Sequence, residues 1–151
     1  MRELETWIND AASRLGLTLE KLPLEDAKQV TEAVKRRFVE GSPRVWWLGL
    51  RPPYVYYEAD SMQLSQVLPR KRGNVYFIPE SDDEHPLPVY MMEASNLELL
   101  IGECTFFEYY VADTETDWRV AETEHEVFIV CYASESSLRV APGGQLWPSG
   151  K

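Results

Sequence analysis

Two histidines and twenty-five carboxylates hold most of the chemistry this chain could do. The first grouping is Asp82-Asp83-Glu84-His85. Three consecutive acids offer the hard oxygen ligands that calcium and magnesium prefer. A calcium loop, however, alternates its ligands and sets a glycine at its sharp turn. This run does neither, so it reads as a solvated acidic loop. The second grouping is Glu122-Thr123-Glu124-His125-Glu126. On a strand the three glutamates share one face and Thr123 and His125 the other. Carboxylates beside an imidazole favour its charged form, so His125 is a candidate general base. The same pattern also describes a polar strand end facing water. No second histidine stands at metal-ligand spacing from His125, which leaves zinc with little support. No metal and no cofactor are expected.

The two cysteines are poor nucleophile candidates. A reactive thiolate needs positive surroundings. Cys104 follows Glu103 in the most acidic part of the chain, and its spacing after Leu97, Leu100 and Ile101 places it with core residues. Cys131 lies inside an apolar run. Both read as reduced core thiols. Glycine-rich phosphate loops, Gly-x-Ser-x-Gly elbows and paired Cys-x-x-Cys motifs are all missing from the sequence.

Charge is the strongest signal. Residues 73–126 hold fourteen acids against Arg119 alone, a net charge of −13, while residues 1–72 carry +2 and residues 127–151 carry +1. Much of the aromatic content lies in or near the same stretch, including Phe106, Phe107, Tyr109, Tyr110 and Trp118. Such a segment is expected to fold rather than remain a solvated tail. Its field repels nucleic acid and anionic membrane and attracts basic proteins. Trp46, Trp47, Tyr54, Tyr56 and Tyr57 add to an aromatic set that fills a core or anchors an interface. The basic clusters Lys35-Arg36-Arg37 and Arg70-Lys71-Arg72 are explained by a helix end and a turn.

Those residues must be positioned by local elements. Leu4, Trp7, Ile8, Ala11, Ala12 and Leu15 recur at helical spacing, and Gly16 closes the helix. Pro23, Glu25 and Asp26 open a second helix with Ala27, Val30, Thr31, Val34 and Phe38 on its stripe; Gly41 and Pro43 end it. Strands are expected at Val45–Leu48, Tyr54–Tyr57 and Val75–Ile78, with a short edge strand at Pro88–Met92. Asp60 with Gln63, and Ser95 with Glu98, resemble capping boxes for two short helices. Residues 106–111 and 118–121 form a hairpin across the turn Asp113–Asp117. Val127–Tyr132 is apolar at every position, as in a central strand buried on both faces. The expectation is an α+β domain over residues 1–141, its N-terminal helices packed on one face of one mixed, mainly antiparallel sheet. Residues 142–151 are expected to be a loosely held tail. The N-terminus has no apolar run after its basic residue, so no signal peptide is expected, and no stretch reaches the about 18 apolar residues of a membrane span.

Trp46-Trp47, Val75-Tyr76-Phe77-Ile78, Phe107-Glu108-Tyr109-Tyr110-Val111, Trp118 and His125, in that order, resemble a family of small uncharacterised bacterial proteins. That family is distantly similar to the SUKH-type immunity proteins. The resemblance covers roughly residues 44–132. It implies a cytoplasmic α+β protein with no catalytic role, which neutralises a toxin domain, often a nuclease, by binding it. In that family an amide or imidazole often flanks the histidine; here the neighbours are Glu124 and Glu126.

The resemblance and the charge lead to one expectation. The chain is read as a non-catalytic acidic protein-binding module, of the immunity-protein kind, whose partner is a basic protein and neither nucleic acid nor membrane. Its binding residues are Asp82, Asp83, Glu84, Asp113, Glu115, Asp117, Glu122, Glu124, His125 and Glu126. The alternative is a small hydrolase or metal-assisted enzyme centred on His125 with Glu124 or Glu103.

Overall fold

The computed structural model describes residues 3–39, 53–58, 63–69, 72–80, 87–104, 108–115, 117–122, 127–134, 136 and 138–147. The first helix, α1 (Glu3–Leu15), ends in a Schellman turn. Gly16 takes φ +72° there, and the Gly16 and Leu17 amides donate to the Ser13 and Ala12 carbonyls at 3.2 and 2.9 Å. The two-residue strand β1 (Glu20–Lys21) follows, then α2 (Leu24–Phe38) with Pro23 at its N-cap, Glu25 and Asp26 in its first turn and Lys35, Arg36 and Arg37 in its last. Acids at the start and bases at the end both suit the helix dipole.

Among the described residues there follow β2 (Tyr54–Glu58), α3 (Leu64–Val67), β3 (Asn74–Pro79), β4 (Tyr90–Glu93), a 3-10 turn (Ala94–Asn96), α4 (Leu97–Glu103), β5 (Tyr109–Asp113), β6 (Trp118–Glu122), β7 (Val127–Tyr132) and β8 (Gln145–Trp147). The described strands belong to one sheet in the order β1-β4-β3-β5-β6-β7-β2-β8. Every ladder described is antiparallel, so the α+β class stands. The expected strand at Val45–Leu48 lies outside the described residues.

The alternation of the strands sorts the core onto two faces. Val55, Phe77, Val111, Val120 and Val130 pack with Ile8, Ala11 and Ala12 of α1, Leu64 and Val67 of α3, and Leu97 and Leu100 of α4. Ile78, Tyr110, Ala112, Ala121 and Cys131 point the other way and pack with Ala27, Val34 and Phe38 of α2. The two N-terminal helices therefore take opposite faces, not the same one. Amphipathic spacing fixes which stripe of a helix is buried but not which side of a sheet receives it. Two strands also differ from expectation. Tyr90–Glu93 is not an edge, because β1 pairs outside it through Glu20–Met91 and Lys21–Tyr90. Residues 145–147, read as part of a loose tail, form β8 against β2.

The two residues of the second expected capping box bond elsewhere. Ser95 Oγ donates to Glu93 Oε2 at 3.2 Å, and Glu98 Oε1 accepts from the Ser65 amide at 2.8 Å. Glu98 thus caps α3 rather than its own helix. Glu98 lies 33 residues from Ser65, so no local pattern could have announced it. At α3 the Gln63 amide donates to Gln66 Oε1 at 2.7 Å; Asp60 lies outside the described residues. No helix among the described residues is long and apolar enough to cross a membrane.

Candidate functional site

The β5–β6 hairpin carries four of the expected binding residues and splits them between its two ends. Asp113, Glu115 and Asp117 stand at the turn. Glu122 ends β6 at the far side, opposite Tyr109. Four residue steps along a strand separate the two ends by about 13 Å.

The four acids do different work. Asp113 is buried, with 4% of its surface exposed, and its Oδ2 accepts from the Asp117 amide at 3.4 Å. It closes the turn. Glu122 is half-buried and its Oε1 accepts from the Tyr109 hydroxyl at 2.6 Å. Glu115 and Asp117 are exposed, and of the four they are the two placed to meet a partner. Asp82, Asp83, Glu84, Glu124, His125 and Glu126 lie outside the described residues, as does His85.

The end of the sheet with the turn also holds a cleft of about 310 Å³ that sequence reading missed. Asn74, Glu93 and Glu20 line it, with Met91, Thr18 and Asn96. Asn74 partners Glu93, and the next residue, Val75, partners Asp113, so the cleft and the turn are neighbours along β3. Glu93 is fixed in place: the Gly73 amide donates to its Oε2 at 2.8 Å, beside the Ser95 hydroxyl. The Gly73 bond is the main reason its carboxyl titrates below the usual range. Partial desolvation opposes this, while Ser95 and the Arg72 guanidinium add to it. Gly73 reaches this position with φ +89°, a conformation that favours glycine. Nothing local in the sequence marks the cleft, because it depends on how β1 and β3 register against β4.

The opposite end of the sheet has its own acids. Tyr110, adjacent to Tyr109 and on the other face, donates to Glu80 Oε1 at 2.7 Å. The Glu80 amide donates to the Glu108 carbonyl at 2.9 Å. These glutamates hold strand ends together.

Arg119, the lone base of the acidic segment, is fully buried on the α2 face. Its guanidinium carbon lies 5.0 Å from the Tyr110 ring centre and 6.0 Å from that of Phe38, within cation–π range. Its Nη2 is 3.9 Å from Cys131 Sγ. Burial raises the Cys131 thiol pKa, and Arg119 pulls it back only in part.

Cys104 is half-buried and, like Cys131, free. Burial raises its pKa first; Arg14 lowers it and Glu103 raises it. Glu103 Oε2 is taken by Arg14 Nε at 3.2 Å on the surface, beside a small hollow of about 100 Å³. A thiol with a raised pKa is a weak nucleophile at neutral pH. Among the described residues no group of three or more His, Cys, Asp or Glu is arranged to hold a metal. No family model, curated protein or solved structure matches this chain.

Proposed function

We propose that this chain is a non-catalytic, acidic protein-binding module that works in the cytoplasm as an immunity-type protein, covering the basic face of a nuclease-type toxin. The observation that carries the reading is the segregation of charge, −13 within residues 73–126 of a chain whose total is −10. In the fold, exposed Glu115 and Asp117 from that segment share one end of the sheet with Glu93 and with Glu20 from β1. A nuclease presents cations where it grips phosphate. An acidic surface of this kind competes for those cations and speeds encounter through long-range attraction. The resemblance of residues 44–132 to a small bacterial family that is distantly similar to the SUKH-type immunity proteins supports the same function by a separate route.

The test is capture from host lysate on immobilised chain at low and high salt, run in parallel with the Glu115→Gln/Asp117→Asn variant. Screening shortens the reach of surface charge to about 8 Å at physiological ionic strength and less above it. One basic partner, retained at low salt, released at high salt and weakened by the variant, is the expected result. Capture of no basic protein, or equal retention by the variant at low salt, would overturn the assignment.

A further inference from the structure

The cleft beside the β5–β6 turn brings acidic, amide and apolar side chains together. Glu20 partners Met91 across β1 and β4, and Asn74 partners Glu93 across β3 and β4. Residues opposite one another in a ladder share a face, and so do residues two apart on one strand. Glu20, Met91, Glu93 and Asn74 therefore present side chains on a single face, at the edge of the sheet, with Thr18 and Asn96 completing the wall. Among the described residues no basic side chain lines the cleft, and the nearest cation that acts on Glu93 is the exposed Arg72 guanidinium. Lys21, next in sequence, is drawn to the other face and pairs with Glu5 of α1 at 3.2 Å.

Size narrows the occupant. Small-molecule sites run from about 300 to 1,000 Å³. At about 310 Å³ the cleft lies at the lower limit, room for one long side chain and not for a nucleotide or large cofactor. Chemistry narrows it further. Two carboxylates call for a cation. The carboxamides and the Thr18 hydroxyl accept further N–H bonds. The Met91 thioether gives a soft apolar wall for a methylene stem. A guanidinium offers five N–H donors in a planar fork that matches carboxylate geometry, on a three-carbon stem. The Gly73 amide and the Ser95 hydroxyl bond Glu93 Oε2, and the Ser95 amide adds a further bond, which fixes the carboxylate in advance and lowers the ordering cost of receiving a ligand.

We infer that this cleft is the receptor for an arginine side chain presented by the chain's basic protein partner. The inference rests on the binding-protein reading, but its test needs no partner.

The full-length, isotope-labelled chain is titrated with N-acetyl-arginine amide and, separately, with the neutral isostere N-acetyl-citrulline amide, following backbone amide resonances by NMR. Saturable shifts confined to Asn74, Met92, Glu93 and their neighbours are expected with the arginine probe, and binding by citrulline at least about tenfold weaker, since a charge-assisted hydrogen bond is worth 1.5–3 kcal/mol. Glu20→Gln and Glu93→Gln should each weaken the arginine probe by a similar factor. Glu20 is exposed on a two-residue strand, so its variant tests the cleft even if Glu93→Gln disturbs the fold. Absence of saturable shifts, equal binding of citrulline, or unchanged affinity in Glu20→Gln would overturn the inference. Arginine binding without any partner captured from lysate would leave the cleft standing and remove the broader reading.

Discussion

The Tyr109 hydroxyl donates a 2.6 Å hydrogen bond to Glu122 Oε1, its direct partner across the β5–β6 ladder. Tyr109 is 1% exposed, and Glu122 stands where β6 ends. The phenol is thus buried in the core with its polar tip directed to a carboxylate at the margin of the sheet. Tyr109→Phe preserves the ring packing against Phe77, whose centre is 5.8 Å away, and removes only the donor. A hydrogen bond to a charged group contributes about 1.5–3 kcal/mol. That loss is the expected result in urea denaturation. Glu122→Gln keeps an acceptor and should cost less. A double-mutant cycle that returns no coupling between the two positions would show that the contact is energetically idle.

Buried tyrosines make the alkaline limit of stability specific. Tyr132 is pushed up to about 12 from 10.0, chiefly by burial and next by Tyr57, with its bond to the Arg139 carbonyl and the Arg139 charge opposing. Tyr109 is raised well above 10.0, by burial first and then by the charge and hydrogen bond of Glu122. A folded-state pKa above the unfolded one means that the native state keeps its proton longer. The stabilisation is complete below the ordinary pKa near 10.0 and is lost as pH climbs toward about 12. Denaturation midpoints should hold steady up to that window and fall within it. The difference in ultraviolet absorbance between the protein and its Tyr132→Phe variant should show the Tyr132 tyrosinate appearing with unfolding, not before it. Free ionisation of every tyrosine near 10 in the native protein would contradict the burial argument.

How much the sequence disclosed depends on the range of the interaction involved. Periodicity located α1 and α2, and the run Val127–Tyr132 correctly marked a strand with neighbours on both sides. Each shows in the local spacing of apolar residues, whatever its partners along the chain. What was hidden needed partners far along the chain. The face chosen by α2, the capping of α3 by Glu98 and the cleft around Glu20 and Glu93 all depend on register between distant strands. Arg119 is the clearest case. The sequence counts it only as the lone base among fourteen acids. Its neighbours Trp118 and Val120 point to one face of β6, so Arg119 must point to the other, beneath α2 and over Tyr110. Strict alternation around a lone arginine was the available signal. The split among the expected binding acids has the same origin: composition counts Asp113 and Glu115 alike, while the turn buries the first and exposes the second.

The C-terminal segment offers a sharp steric test. β8 is held by its ladder to β2, by the Tyr56 hydroxyl donating to Gln145 Oε1 at 3.0 Å, and by the Ala141 amide donating to the Tyr57 hydroxyl at 3.0 Å. Gly144 lies where the chain comes down onto β2. A Cβ there would sit 2.6 Å from Tyr57 Cε2 and 2.9 Å from Val55 Cγ1, closer than carbon atoms approach. Tyr57 and Val55 are both core residues, 2% and 0% exposed, so neither side chain can swing into solvent to make room. Gly144→Ala should therefore lift the segment or push the ring, at a cost of about 1–3 kcal/mol. At this chain length each kcal/mol lowers the melting temperature by about 2–4 °C. The loss should be local as well as global, with faster hydrogen exchange at the amides of Gln145, Leu146 and Trp147. Gly16→Ala is the control. Its Cβ meets nothing within 4 Å, so only the backbone cost of φ +72°, about 1–2 kcal/mol, applies and β8 exchange should not change. Equal exchange at β8 in both variants would show that the close approach of Gly144 to Tyr57 does not hold the strand in place.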